Sequence, residues 1–546
     1  MAPQSVALRV PGARLPSGRQ AVVRARLWGG GWSVSRLLCA LRRPRPLAPP
    51  RPQQQRKRLI RVTFLPRQLL PRPGEEEGGQ QHQQPPPPPA TAALPSPWLP
   101  AAAAQAPTPA HPPCVRVTDV SGENMSLIWL QVGQCGNQIG QEWWQILTNT
   151  AAESDQYPFF SRDGLINAIC VDSEPKVIRR LRQQVKKGYF RDANVVVGQK
   201  GRGNNWAYGY RGAGGSPEKS LLDRTMESVR KEVERRDCYS GTVILHSLCG
   251  GTGSGMGSRL CEEIRDTYPA GYILSVTAAP HETGDSPLQH YNSLLCLAWL
   301  QRFCDGVLLF QNDEVMKRAA SAGEKKTFTM SGLQPSVSLT SMNTHIASCV
   351  AGLLYPVYSL KTRSSVSVGL EPWELIRALC PMSTMKFLHT SQVRSRGPAS
   401  WDKVTSTVVQ SVPRADPHGR LHHSLSVLAV ARNSQDYSFM LSRDSVLLKL
   451  RQSYRCVPWN PSPVHCWTDP QNILDPSCHS HSLTVCANHS SAADLMRSVL
   501  YKAHAMYDAG AYLHWYRRYG CEDGDFLGAF DTLQSVVNEY RGLAEQ

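Results

Sequence analysis

The sequence predicts an α/β chain: a mostly parallel sheet with helices on both faces, a second, smaller α+β domain, and a helical C-terminus. Three observations predict it. From residue 126 onward, short apolar runs alternate with helix-length amphipathic runs, the βαβα rhythm of a parallel sheet. Each apolar run of the first half is closed by a glycine-rich or polar turn. The densest turn, SLCGGTGSGMG at 247–257, lies between an apolar run at 242–248 (TVILHSL) and a helix-like run at 258–268 (SRLCEEIRDTY).

Strand, glycine turn and helix in that order present backbone N–H groups to an anion at a helix N-terminus. Glycine frees the backbone for close approach, and Thr252 and Ser254 add hydroxyl donors. No Lys follows the glycines, so this is not a P-loop. Nor does the spacing fit G-x-G-x-x-G, since Ser258 stands at the last position counted from Gly253.

Taken in order, 126–132 (SLIWLQV) reads as a buried strand, and GQCGNQ at 133–138 as a second glycine turn opening a helix that runs to about Thr148. Residues 166–171 read as a strand and 172–175 (DSEP) as a turn, with Pro175 as the first residue of the next helix. Residues 194–197 form a short strand, 201–210 a loop, and 220–236 a long charged helix. Strands follow at 242–248, 272–278 and 306–310, with a helix at 287–303 and another from Asn312. In such a sheet ligands bind at the carboxyl ends of the strands. Gln134, Asp172, Asn204, Thr252 and Asn312 are therefore expected in one crevice.

Beyond 318–342, read as loop, helices are expected at 343–356, 371–380, 489–508 and 526–544, and strands at 424–431 and 482–486. The expected organisation is an extension at 1–124, a nucleotide-binding domain at 125–342, an intermediate α+β domain at 343–488, and a C-terminal helical region at 489–546.

Composition separates the extension from the rest. Of the 546 residues and net charge of +17, residues 1–124 carry a net +12, and residues 1–74 contain no acid. With its Pro, Gln and Ala runs, this stretch is expected to be disordered. An acid-free, Arg-rich N-terminus also suits a mitochondrial transit segment, but Met125 is the natural start of the fold. The remaining residues are near neutral, which argues against a nucleic-acid partner. No apolar run is long enough for a membrane helix. The 16 Cys show no paired spacing, as expected for reduced thiols. Cys466, Cys478, His479, His481, Cys486 and His489 likewise lack zinc-site spacing. Trp143 and Trp144 read as core, and the charges of 220–236 as a solvated helix face.

GQCGNQIG (133–140), VDSEP (171–175), GNNWAYGY (203–210), GGTGSGMG (250–257), HYNSLL (290–295) and AYLHWY (511–516) resemble the tubulin family in order and spacing, over roughly 125–546. Within it the chain is most similar to the delta-tubulin branch. Tyr208 stands where alpha and beta chains carry Lys, Gln289–Asn292 lacks their Glu-Pro, and no long acidic tail follows Gly542.

The resemblance implies a Rossmann-like GTP-binding sheet holding GTP or GDP with Mg²⁺. On that reading Cys249, Gly250, Gly251, Thr252, Gly253, Ser254 and Gly255 wrap the phosphates, with Gln134 and Cys135 on the α- and β-phosphates. Asp172 and Glu174 hold Mg²⁺ through water, since Mg²⁺ keeps several waters beside phosphates. Asn204 lies near the γ-phosphate, Gln138 and Gln289 near the sugar, and Asn312 and Asn343 on the guanine edge. Leu339 matches the family's base-stacking aromatic residue. Glu374 falls on the catalytic-acid position that acts across a subunit contact, with Glu371 a second acid. The partners implied are other tubulins (epsilon, alpha, beta) and centriolar proteins. The place implied is the cytoplasm and cytoskeleton, at the centriole, centrosome or cilium base, or the nucleus, and the role is building triplet microtubules.

Two other readings compete. An NAD-type oxidoreductase would place its glycine turn after the first strand, with an acid about 20 residues on; here the densest turn follows the fourth strand. A nucleotide-free tubulin-like scaffold would retain the fold without the ligand.

Overall fold

The computed structural model describes residues 5–14, 20–26, 127–150, 159–161, 163–184, 190–212, 220–236, 238–284, 286–322, 337–357, 372–396, 400–433, 437–475 and 480–543. The chain divides into two units, Met1–Ala104 and Gln105–Gln546. In the first, β1 (Ser5–Arg14) and β2 (Gln20–Arg26) pair antiparallel. For these residues the expectation of disorder is corrected. Val6, Leu8 and Val10 alternate with other residues at the strand period, and that local pattern forms a ladder despite the basic composition. The rest of that expectation lies outside the described residues.

The second unit is built on one sheet. Its strands are β3 (Leu127–Val132), β4 (Ala168–Asp172), β5 (Val195–Val197), β6 (Gly241–Ser247), β7 (Tyr272–Ala279), β8 (Gly306–Gln311), β9 (Phe387–Arg396), β10 (Ser424–Arg432), β11 (Val464–Asp469) and β12 (Ser480–His489). Their order is β11-β10-β12-β9-β8-β7-β6-β3-β4-β5. From β5 to β9 every neighbouring pair is parallel, while β12 runs antiparallel to both β9 and β10. The order β5-β4-β3-β6-β7-β8 reverses direction between β3 and β6. That is the switch point where a crevice opens outside the carboxyl ends of the strands.

The helices of the first half are α1 (Gly133–Thr150), α2 (Pro175–Gln184), α3 (Trp206–Arg211), α4 (Leu221–Glu234), α5 (Gly257–Thr267), α6 (Gln289–Phe303) and α7 (Asn312–Ala322). Those of the second half are α8 (Leu339–Leu354), α9 (Pro372–Leu379), α10 (Trp401–Gln410), α11 (Tyr437–Ser453), α12 (Ala492–Asp508), α13 (Leu513–Arg517) and α14 (Asp523–Gly542). Ser220 caps α4 in a reciprocal capping box with Asp223.

Both faces of the sheet are covered, so its strands read as unbroken apolar runs. Ile128, Leu130 and Val132 of β3 join one layer with α5, α6, α12 and α14. Leu127 and Trp129 join the other with α1 and α8. Trp143 and Trp144 are buried there against Trp129.

The second half departs from the expectation in two ways. The boundary at 342/343 falls inside α8, and the sheet runs on from β8 into β9 through Val307 with Phe387 and Leu308 with Leu388. In addition β9, α10, α11, β11 and α13 form where no element was expected. The sheet interior accepts the polar β9 because its neighbours satisfy it: Gln392 donates to the Ser348 carbonyl and to Thr484 Oγ1. Among the described residues no helix is long and apolar enough to cross a membrane.

Candidate functional site

The carboxyl ends of β3, β4, β6, β7 and β8 lie along one edge of the sheet, and the turns that leave them meet there. The turn after β3 opens at Gly133, whose φ of +72° is the left-handed region that favours glycine. Asn137 fixes it: the buried Nδ2 donates to the carbonyls of Gly133 (2.8 Å) and Val171 (3.0 Å), joining the ends of β3 and β4. Beyond β4, Ser173 Oγ lies 2.6 Å from Thr252 Oγ1, joining the β4 end to the main turn. The 201–205 loop passes through left-handed Gly203 and Asn204 before Asn205 caps α3 by accepting from the Tyr208 N–H.

The main turn is a wide helical run, Gly251–Met256, of π type, that continues directly into α5. Its first amides have no carbonyl within their own turn to donate to. Its glycines serve mutual packing of the turns. A Cβ on Gly255 would sit 2.1 Å from the Trp206 carbonyl oxygen, and one on Gly251 2.6 Å from that of Arg202. A Cβ on Gly133 would sit 2.9 Å from the Gly253 nitrogen. Gly250 is uncrowded, with only Ser247 Oγ at 3.4 Å from such a Cβ.

Two expectations change here. Ser254 is buried, and both its N–H and its hydroxyl donate to the Gly250 carbonyl, at 2.8 and 2.5 Å. It staples the turn and offers no hydroxyl donor to a ligand. At Gly253 the direction a side chain would take leads to Ser247, with Oγ at 2.6 Å and the backbone nitrogen at 3.1 Å, so glycine there is required by the strand end.

Asp172 ends β4 in a buried position, and Glu174 beside it is exposed. Burial pushes the Asp172 carboxyl up to about 6, against its bonds from the Glu174 and Ser173 amides. Gln134 is exposed at the start of α1, while Cys135 and Gln138 are half-buried. Burial, with the Cys249 thiol adding to it, pushes the Cys135 thiol up to about 12, so it is neutral at pH 7. Gln289 is buried and donates to the His281 carbonyl at 3.3 Å. Asn312 begins α7 directly after β8. Asn343 lies half-buried on α8, which is tied to α1 by Thr344 Oγ1 donating to Glu142 Oε2 at 2.7 Å. Leu339 opens α8 at 65% exposure.

Glu374 stands apart. It is half-buried on α9, whose Trp373 stacks on Tyr272, the first residue of β7. The crevice lies at the other end of that strand. Glu371 lies outside the described residues.

Sequence reasoning missed Asn292. This fully buried amide of α6 accepts from the Trp206 N–H (2.8 Å) and the Tyr516 hydroxyl (2.7 Å). It donates to the carbonyls of Asn204 (2.7 Å) and Cys249 (2.8 Å). The available signal was an amide inside the otherwise apolar run YNSLLCLAWL. Ser173 and Asn137 were also missed as the side chains that join the turns.

The residues fit an anion: amides at a helix start, an uncrowded Gly250 and no acidic side chain on the turn itself. They also fit a cation held partly by that anion. The groups acting on the buried Asp172 carboxylate are backbone amides and the Glu174 carboxylate. Among the described residues no group of three or more His, Cys, Asp or Glu is placed to hold a metal ion.

Beneath the turn, His246 is fully buried with Nε2 2.8 Å from Ser275 Oγ, and burial pushes its pKa down to about 4. The unfolded chain therefore binds a proton there between about 6.5 and 4 that the fold does not. The stability His246 contributes is intact above pH 6.5 and lost as pH falls toward 4. At pH 5 the loss should be about 2 kcal/mol. His246→Gln should shrink the fall in urea midpoint between pH 7 and pH 5, and an unchanged fall would exclude His246 as its source.

A switch-point crevice bordered by glycine turns is where open α/β proteins bind their ligands. Residues 126–320 match the family described as Tubulin/FtsZ family, GTPase domain. The chain is 28% identical over 468 residues to the tubulin delta chain of Macaca fascicularis, covering 77% of this chain and 100% of that one. It is 27% identical to the delta chain of Homo sapiens over the same shares. It is also 27% identical over 436 residues to the tubulin beta chain of Schizophyllum commune, covering 76% of this chain and 94% of that one. Residues 126–320 thus resemble that GTPase-domain family, and the chain is similar at low identity to both delta and beta chains.

Proposed function

We propose that this protein is a guanine-nucleotide-binding, delta-tubulin-like subunit that acts through contacts with other tubulins. The carrying observation is the meeting of four turns at one crevice, joined by side chains of Asn137, Ser173, Thr252 and Asn292. In this reading the amides of Gly251, Thr252 and Gly253 hold the phosphates, with Gln134 and Cys135 beside them. Asp172 and Glu174 face Mg²⁺, which neutralises phosphate charge when bound. Asn312 and Asn343 select guanine by its edge, and Gln138 and Gln289 lie by the sugar. The departures at Tyr208 and Gln289 favour the delta branch. With that branch come a place at centrioles, basal bodies and the cilium base, and a role in triplet microtubules. Glu374 would act on a neighbouring subunit's nucleotide.

The 1–124 extension carries none of the crevice residues. A chain of residues 125–546 should therefore purify with GTP or GDP and bind GTP within about twofold of the full length. Nucleotide extraction and chromatography decide it: NAD, or no nucleotide at all, would overturn the reading.

A further inference from the structure

Asn292 uses its full hydrogen-bonding capacity, two bonds accepted and two donated. Its donors hold the carbonyls of Asn204 and Cys249, one on each of two turns that border the crevice. One of its two acceptor bonds comes from Tyr516, far away in sequence on α13. The Tyr516 ring is buried, and its hydroxyl has one other near acceptor, the Leu288 carbonyl at 3.4 Å. Asn205 makes a second link to the same helix, donating from Nδ2 to the Trp515 carbonyl at 3.2 Å. A third joins the 201–205 loop to the chain just past α13: Arg202 lies over the Tyr208 ring, which stacks on Tyr519.

The segment holding Tyr516 is built to turn sharply. Gly510, Tyr512 and Gly520 all have positive φ, and Tyr512 at +58° is in a region that side chains other than Gly, Asn and Asp seldom adopt. The inner face of α13 presents Leu513 and Tyr516 to the core, while Tyr512 and Trp515 are 41% and 45% exposed. The same short segment thus has one side on the crevice junction and the other on the protein surface.

We infer that α13 controls the nucleotide crevice, with Asn292 as the positioning residue and Tyr516 as its input. This rests on reading the crevice as a guanine-nucleotide site. The Tyr516 hydroxyl holds the Asn292 amide in the orientation that keeps the Asn204 loop and the Cys249 end of the main turn at their spacing. Loss of that bond leaves the amide oxygen held by the Trp206 N–H alone, so the amide is held less firmly and both turns relax away from the phosphates. The consequence is faster nucleotide release, because weakening a site acts chiefly on the dissociation rate.

Full-length Tyr516→Phe tests this beside Tyr291→Phe. Each removes one hydroxyl bond between α6 and the α13 region, since Tyr291 donates to the Ala511 carbonyl at 3.0 Å, but Tyr291 makes no bond to Asn292. Both should lower the melting temperature by similar amounts. Release of a fluorescent GDP analogue should quicken about five- to tenfold in Tyr516→Phe. In Tyr291→Phe it should stay within about twofold of the wild type. Equal release rates in the two variants, whether both raised or both unchanged, would overturn the inference. Wild-type protein that holds no guanine nucleotide would overturn the underlying reading as well, and would show this before any variant is made.

Discussion

Full-length protein carrying Gly253→Val should purify without guanine nucleotide, while Gly250→Ala keeps it. The two positions are three residues apart on one turn and differ in what a side chain would meet. At Gly253 a Cβ falls 2.6 Å from Ser247 Oγ and 3.1 Å from the Ser247 backbone nitrogen. A β-branched residue cannot fit there unless the turn lifts away from the end of β6. Gly133 rests on the same point, its Cβ direction leading to the Gly253 nitrogen, so the turn after β3 would shift too. Overpacking of this kind typically costs about 1–3 kcal/mol, enough to lower the melting temperature and leave the sheet folded. Binding should suffer more, because the amides of the turn must align together on one anion. A loss of GTP affinity of a hundredfold or more is expected, about 2.7 kcal/mol. At Gly250 the single neighbour is a hydroxyl 3.4 Å away, an ordinary contact. Affinity for a fluorescent GTP analogue and far-UV circular dichroism separate the outcomes. Normal nucleotide content in Gly253→Val would show that the main turn does not hold the phosphates.

The nucleotide half was legible in the sequence because its physics is local. β3, β6, β7 and β8 are apolar runs buried on both faces, and each ends at a turn whose glycines or polar residues mark it. Pro175, Ser220 and Asn312 mark helix starts that the fold keeps. The second half was less legible because partners distant in the chain decide it. Ser391 and Thr390 of β9 are buried polar residues. The buried Arg432 at the end of β10 is satisfied by Asp469 of β11 and by carbonyls of and after α8. α11 carries exposed Leu441 and Leu448 on its outer side, which blurs the amphipathic pattern that would have revealed it. In the crevice the residue types were legible and the directions were not. Ser254 reads as a ligand donor until its bonds to Gly250 are seen. Asn292 reads as an ordinary helical residue until its four partners are known.

GTP turnover by the wild-type protein should rise with protein concentration, and Glu374→Ala should abolish the rise without weakening GTP binding. Position supplies the reason. Trp373, next to Glu374, stacks on Tyr272 at the start of β7, and Ile376 of the same helix lies beside Gly306 at the start of β8. The crevice opens at the far ends of these parallel strands. β7 has eight residues, so the two ends are separated by roughly 23 Å. A carboxylate needs hydrogen-bond reach of the water it activates, so Glu374 cannot serve the nucleotide of its own subunit. It can serve a neighbour's if subunits stack head to tail, the α9 end of one on the crevice of the next. Such a contact is heterologous, repeats without closing, and forms in proportion to concentration. A positioned base contributes about 10²–10⁴ in rate, so the concentration-dependent part of turnover should fall by at least a hundredfold in Glu374→Ala. Glu374→Gln should match it, since the amide keeps the shape and cannot take the proton. Phosphate release measured across a dilution series, with GTP affinity measured alongside, checks all three proteins. Rates that are equal and independent of concentration would remove Glu374 from the chemistry and leave the crevice a binding site only.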